Sequence, residues 1–126
     1  MIRYREAKSW RGLVARSRFR LNDLYLDAFL WQSQDALQEN VITDNEYLIA
    51  CYLPFPNRNW HKGIIGELDF CQDELGFSTV AHELVHLIKD VDSNLQIDEE
   101  KLADWIGEIA ERLVVEFISE PLDTDE

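Results

Sequence analysis

The spacing of apolar residues divides the chain into five segments separated by polar or Pro- and Gly-containing stretches. Between residues 21 and 38 apolar side chains recur at helical spacing on more than one side, and Gly and Pro are absent. This pattern predicts a buried N-terminal helix. Residues 46–53 (EYLIACYL) and 63–70 (GIIGELDF) are rich in aliphatic and aromatic residues, which predicts two strands. The Pro-, Asn- and Gly-containing stretch between them predicts a hairpin with a long connection.

Two further helices are predicted in the C-terminal half. Residues 78–90 carry one apolar stripe, with Ser78 as a candidate N-cap, and residues 98–118 carry another. The order helix, hairpin, helix, helix predicts a small α+β domain with a short antiparallel sheet. The apolar positions are Val80, Leu84, Leu87, Ile88 and Val91 in the first of these helices, and Leu102, Ile106, Ile109, Leu113 and Phe117 in the second.

The size and composition of the chain favour one globular domain. It has 126 residues, of which 46% are hydrophobic, so a single domain over residues 1–126 is expected. No apolar run reaches the roughly 20 residues that a membrane-spanning helix needs. The N-terminus lacks the apolar core of a secretory signal, so we expect a cytoplasmic protein without a membrane partner. Cys51 and Cys71 lie in apolar stretches and are expected to be buried free thiols.

Charge is distributed unevenly along the sequence. Residues 1–20 contain seven basic side chains and one acidic one, a charge of +6, which leaves −19 for the other 106 residues of a chain whose total is −13. The acidic majority argues against nucleic-acid binding, because phosphates would be repelled. The basic segment 1–20 is interpreted as an arm that folds back on the acidic part of the chain or contacts an acidic partner. The acidic end, 119–126, is expected to fray.

The sequence HELVH at residues 82–86 is the strongest chemical signal. On a helix, residues four apart lie on the same face, so His82 and His86 can bind one Zn²⁺. Glu83 lies about 100° around the helix from His82, where it can act as a base without being a ligand. Two polar residues beside an apolar stripe would produce the same string, so the motif alone does not establish a metal site.

A catalytic zinc site needs a third protein ligand, and a downstream carboxylate is the natural candidate. Glu100 and Asp104 lie four apart in the last predicted helix, so Glu100 is expected to bind the metal while Asp104 accepts the N–H of a ligating histidine. The small residues Ala103, Gly107 and Ala110 would let this helix approach the HELVH helix closely. The alternative ligands are Glu99, Glu108 and His61, and the alternative interpretation is a solvated acidic face.

HExxH followed by ExxxD on the next helix resembles the gluzincin metallopeptidases. More narrowly, GIIGELDF, FSTVAHELVH and EEKLAD are similar to parts of the ImmA/IrrE-type peptidase domain, over about residues 63–110. The resemblance implies a zincin-like fold with His82, His86 and Glu100 as zinc ligands, Glu83 as general base and Asp104 as the orienting residue. The chain departs from that family in two ways: a helical continuation replaces the Leu-Leu-Met-Pro-like stretch, and the loop between the motifs is short.

Peptide hydrolysis also requires a donor for the developing oxyanion. The candidates are His61, in the loop before the second strand, and Tyr47 or Tyr52. The segment GIIGELDF is expected to be an edge strand that could hold a substrate by strand addition.

Three functions are compatible with these features. The first is a zinc-dependent peptidase that acts on a narrow range of protein substrates. The second is a non-catalytic acidic interaction or inhibitor protein on a peptidase-like fold that binds a basic partner; retention of Glu83 favours the first. The third is a structural zinc site, which would need a fourth ligand such as Cys71 or His61.

Overall fold

The computed structural model describes residues 2–4, 8–44, 47–54, 63–94 and 97–118, and at 2–4, 21 and 94 it describes the backbone alone. The chain forms two compact units, Met1–Glu74 and Leu75–Glu126. The first contains all the described strands and one short helix, and the second is helical. The mixture of strands and helices confirms the predicted α+β class. The acidic end, 119–126, lies outside the described residues.

The first unit is built on a four-stranded sheet with the strand order β2-β3-β6-β5. β2 pairs antiparallel with β3, β3 pairs parallel with β6, and β6 pairs antiparallel with β5. A separate two-stranded sheet joins β1 and β4. The elements are β1 (Ile2–Tyr4), β2 (Leu13–Leu21), β3 (Leu24–Trp31), α1 (Gln34–Glu39), β4 (Val41–Thr43), β5 (Ala50–Pro54), β6 (Ile64–Cys71) and a 3₁₀ turn (Gln72–Glu74).

The helix predicted over residues 21–38 is wrong. Its first part is β3, which forms a hairpin with β2, and only its last part is helical, in α1. Leu21 pairs with Leu24, so the turn consists of Asn22 and Asp23, and Asn22 has a φ of 56°. A two-residue hairpin turn with a positive φ at its first position favours Asn. β3 is buried on both faces from Leu26 to Trp31, so its apolar residues do not show the alternation of a half-buried strand.

The two strands predicted over 46–53 and 63–70 are confirmed as β5 and β6, and they pair antiparallel as expected. Residue 46, the first of the predicted range 46–53, lies outside the described residues, and the strand itself begins at Ala50. The expectation that GIIGELDF is an edge strand is wrong. β6 lies between β3 and β5 and forms ladders with both, so it has no edge to offer an added strand.

One side of the sheet carries an apolar cluster that α1 helps to enclose. Phe29, Trp31, Leu37 and Leu53 belong to it and are at most 3% exposed. Cys51 and Cys71 belong to the same cluster as buried free thiols, which confirms their predicted state. Burial raises the pKa of the Cys71 thiol, so this side chain acts as a small apolar residue.

The basic N-terminal segment contributes β1 and β2 to the two sheets. Arg18 donates two hydrogen bonds, of 2.7 and 3.0 Å, to the carboxylate of Asp27 on the neighbouring strand. Arg11 pairs with Glu39. The described part of the segment is therefore folded against acidic residues of its own unit.

The second unit consists of α2 (Phe77–Asn94), α3 (Glu99–Leu113) and a π-helical turn (Val114–Ile118). α2 and α3 pack against each other. Both helices were predicted, but the Ser78 cap was not correct: α2 already begins at Phe77, and the carbonyl of Gly76 accepts the N–H of Val80 at 3.1 Å. The predicted apolar positions are buried except Ile88 and Ile106, which are half-buried, and Trp105 is an additional buried residue.

Gly107 does not have the role expected for it. It lies on the exposed side of α3, and a Cβ built there meets no heavy atom within 4 Å among the described residues. Ala103 is exposed as well. Gly107 and Ala103 therefore do not mediate a close approach of α3 to α2, while Ala110 is half-buried.

Two glycine substitutions are expected to act in opposite directions. Gly107→Ala should raise the free energy of unfolding by up to about 1 kcal/mol, because alanine restricts the unfolded chain and favours the helix. Gly12→Ala should lower it by about 1–3 kcal/mol, because Gly12 has a φ of 81° and its Cβ would stand 2.6 Å from the Cβ of Ala36. Urea unfolding of the two variants and the wild type measures both effects. Equal shifts of one sign would contradict the arrangement around at least one of these glycines.

Candidate metal centre

The helix α2 presents its two histidines on the side opposite its core. Val80, Leu84, Leu87 and Val91 are buried along one stripe of the helix. His82 and His86 lie one turn apart on the exposed side, as the HELVH spacing predicts. Because both belong to an 18-residue helix anchored by its apolar stripe, their relative placement depends on local helix geometry alone.

The two imidazoles converge at their Nε2 atoms. These atoms are 3.3 Å apart, and the ring centroids are 4.9 Å apart with the rings inclined at 71°. Two nitrogen ligands at about 2.0–2.1 Å from a tetrahedral zinc ion are separated by about 3.3–3.4 Å. The separation of the two Nε2 atoms matches one edge of a zinc coordination tetrahedron, and it also lies within the range of a direct hydrogen bond between the two imidazoles.

Glu83 differs from the histidines beside it in its burial. Its side chain is 6% exposed, whereas His82 and His86 are exposed. One carboxylate is therefore held out of bulk water one residue along the helix from the first histidine. This is the residue type and helical position that HExxH chemistry requires of a base.

α3 begins with two acidic residues, Glu99 and Glu100, in its first turn. Asp98 caps the helix, and its Oδ2 accepts the backbone N–H groups of Glu100 and Lys101 at 3.1 and 3.2 Å. Glu100 and Asp104 are both exposed, one turn apart on the same helix. Neither carboxylate makes a hydrogen bond or ion pair with another described residue, so both are available to a ligand.

The structure does not bring a third ligand to the histidine pair. Within the described ranges, no three His, Cys, Asp or Glu side chains are grouped so that they could hold a metal ion. His82 and His86 are brought together, while Glu100 and Asp104 are not joined to them, and Glu99 and Glu108 are likewise exposed on α3. The assignment of Glu100 as the third ligand therefore stays a prediction.

The residues predicted as candidate donors to the oxyanion differ in their exposure. His61 lies outside the described residues. Tyr47 is 76% exposed, and Tyr52 is buried in β5 at 9% exposure. Cys71, considered above as a ligand of a structural zinc, is fully buried.

No protein-family model matches the chain, and neither the curated proteins nor the solved structures include one that is significantly similar to it. The resemblance to gluzincins consequently depends on the two short motifs alone. None of the described helices is long and apolar enough to cross a membrane.

Proposed function

We propose that the protein is a cytoplasmic zinc-dependent peptidase that hydrolyses a peptide bond in a narrow range of protein substrates. The observation that carries this proposal is the pair of exposed imidazoles whose Nε2 atoms lie 3.3 Å apart, on a helix in which the residue after His82 is the buried Glu83. A lone exposed histidine would give no such indication. Two histidines at the spacing of zinc ligands, with a candidate base between them in the sequence, favour hydrolytic chemistry over a solvated helix face.

His82, His86 and Glu100 are the residues that would hold the metal. A bound zinc ion supplies a Lewis acid that polarises a carbonyl and lowers the pKa of a water molecule to about 7. Asp104 would accept the N–H of one ligating imidazole and so fix its orientation. These roles are supported by residue type and by the four-residue spacing of Glu100 and Asp104 on α3, the helix that packs against α2.

Glu83 performs the proton transfers. Its carboxylate accepts a proton from the attacking water as the water oxygen bonds to the carbonyl carbon. The same proton then passes to the amide nitrogen as the C–N bond breaks, so the carboxylate is regenerated with each turnover. Burial of Glu83 favours this role, because it holds the carboxylate out of bulk water. His61 is the proposed donor to the oxyanion.

Narrow specificity is inferred from size. A chain of 126 residues has little room for an extended substrate cleft in addition to its core. The substrates are therefore proposed to be a small set of proteins.

The direct test is cleavage of a proteome-derived peptide library by the zinc-loaded protein, read by mass spectrometry. New termini are expected with the wild type, and none with the Glu83→Gln variant or after chelation of zinc. The same new termini in all three samples would indicate a contaminating protease. No new termini with a fully zinc-loaded wild type, using both the library and a native cell extract as substrate, would contradict the proposal and favour the interaction protein.

A further inference from the structure

Two acidic residues of β6 are buried inside the first unit and have no role in the proposed reaction. Glu67 and Asp69 are 1% and 0% exposed. Alternate residues of a strand point to the same side of the sheet, so both carboxyl groups lie on one face. One oxygen of each, Glu67 Oε2 and Asp69 Oδ2, has no hydrogen-bond partner among the described residues. Buried carboxylate oxygens without donors are costly, so this arrangement requires an explanation.

Among the described side chains, Lys8 is the cation in contact with the pair. Lys8 Nζ lies 3.0 Å from Glu67 Oε2 in a buried ion pair, and it donates to the carbonyl of Asn40 at 3.2 Å. Trp31 Nε1 donates to Asp69 Oδ1 at 2.8 Å. With both carboxyl groups ionised, the cluster would carry a net charge of −1 in a site closed to water.

In the part of the chain that the structure describes, no second cation is paired with Glu67 or Asp69. Arg16, opposite Phe29 on β2, lies over the rings of Trp10 and Phe29. On β3, Asp27 stands opposite Glu67, and its carboxylate is already held by Arg18. On β5, the residues opposite Glu67 and Asp69 are Leu53 and Cys51. The helix that packs against β6, α1, has Ala36 and Leu37 as its buried residues. Burial, and then the charge of Asp69, raise the pKa of Glu67 to about 10, against the opposing effect of Lys8.

We propose that Glu67 and Asp69 hold one proton between them, with Glu67 as a neutral carboxyl that donates to ionised Asp69, and with Lys8 balancing the remaining charge. Of the two oxygens without a hydrogen-bond partner, Glu67 Oε2 and Asp69 Oδ2, the one that carries the proton becomes a hydrogen-bond donor. The cluster then carries one negative and one positive charge, and the desolvation cost of a second buried anion is avoided.

This cluster fixes the N-terminal segment 8–10 on the sheet. The segment has no helix or strand of its own, and Lys8 is its charged anchor. Beside Lys8, the N–H of Ser9 donates to Asn40 Oδ1 at 2.8 Å, and the ring of Trp10 stacks on Trp31. The ion pair of Lys8 with Glu67 is therefore one of several contacts that hold this segment on the sheet.

The proposal sets the sign of a pH dependence. The pKa of Glu67 is raised above its unfolded value of about 4.3, so the folded state binds more protons than the unfolded state between about pH 4 and pH 10. Below about pH 4, Glu67 is protonated in both states and does not change the free energy of unfolding with pH. Between about pH 4 and pH 10, the free energy of unfolding falls as the pH rises. The unfolding equilibrium constant should increase by up to about tenfold per pH unit through this one group.

The test compares the wild type with Glu67→Gln, a neutral side chain of the same shape, in urea unfolding from pH 5 to pH 9. The variant should lose the downward slope and be at least as stable as the wild type at pH 8. A variant that is less stable than the wild type at pH 8 would show an ionised Glu67 paired with Lys8, and would overturn the proposal. Asp35→Asn, an exposed acidic residue of α1, is the control that should leave the slope unchanged.

Two further readouts do not depend on that comparison. Infrared spectra at pH 7.5 should show the carbonyl stretch of an un-ionised carboxylic acid in the wild type and not in Glu67→Gln; its absence from the wild type would contradict the shared proton. Lys8→Met should destabilise the protein, and adding Asp69→Asn should restore much of the loss, because the double variant has no unbalanced buried charge. No restoration would contradict the charge balance.

Discussion

Replacing Glu83 by glutamine is expected to lower the rate of peptide hydrolysis by about 10²–10⁴-fold, the usual contribution of a general base. Glutamine keeps the volume of the buried side chain but cannot accept the proton of the attacking water. The zinc content should be unchanged, because Glu83 is not a proposed ligand. Initial rates on a cleaved peptide, with zinc measured in the same samples, test this expectation.

The matched control for Glu83→Gln is Glu111→Gln, an exposed carboxylate of α3. It makes the same chemical change at a position outside the proposed site, so the rate should stay at the wild-type value. Retained hydrolysis in Glu83→Gln would remove this residue from the reaction. A simultaneous loss of zinc and activity would instead indicate that Glu83 is needed for the integrity of the site.

Replacing His86 by alanine is expected to weaken zinc binding by more than about 100-fold. Loss of a group that only orients a ligand typically costs 10–100-fold in metal affinity, and loss of a ligand itself should cost more. His82→Ala should have the same effect, since the two Nε2 atoms lie side by side. Competition with a chromophoric chelator measures these affinities, and Lys89→Ala, at an exposed position of the same helix, is the control.

The same variants should change the response of stability to zinc. A ligand at about 100 times its dissociation constant stabilises the folded state by about 2.7 kcal/mol, which is expected for the wild type and not for His86→Ala at the same zinc concentration. Equal thermal shifts in both proteins would place the metal elsewhere on the chain.

The helical half of the chain could be predicted because its signals are local. The apolar stripe of α2 and that of α3 follow from residues three and four apart, and Asp98 begins α3 as a cap. The relation of His82 to His86 is of the same kind, so the spacing of the motif was sufficient to place the two imidazoles together.

The first unit was harder to predict because its signals depend on distant parts of the chain. β3 is covered on both faces, so its apolar run resembles a buried helix. β6 pairs with β3 in parallel, and no property of GIIGELDF itself shows that it lies in the middle of a sheet. Alternation of Glu67 and Asp69 with apolar residues was visible in the sequence, but their burial follows from this central position and their counter-ion is Lys8, from a distant segment.

The position of the third metal ligand also depends on parts of the chain that are distant in sequence. Glu100 follows a loop after α2, and its distance from the histidines depends on how α3 packs rather than on any local spacing. The residue type and helical position of Glu100 were sufficient to predict it as a ligand. In the structure Glu100 is exposed on α3.

The most direct test of the proposed zinc site is the metal content of purified protein equilibrated with zinc at neutral pH, for the wild type, Glu100→Ala and Glu99→Ala. We predict about one zinc ion per chain in the wild type and in Glu99→Ala, and clearly less in Glu100→Ala after dialysis against a weak chelator. A wild-type chain that binds no zinc under these conditions would contradict the account, and HELVH would then be a helical sequence that binds no metal.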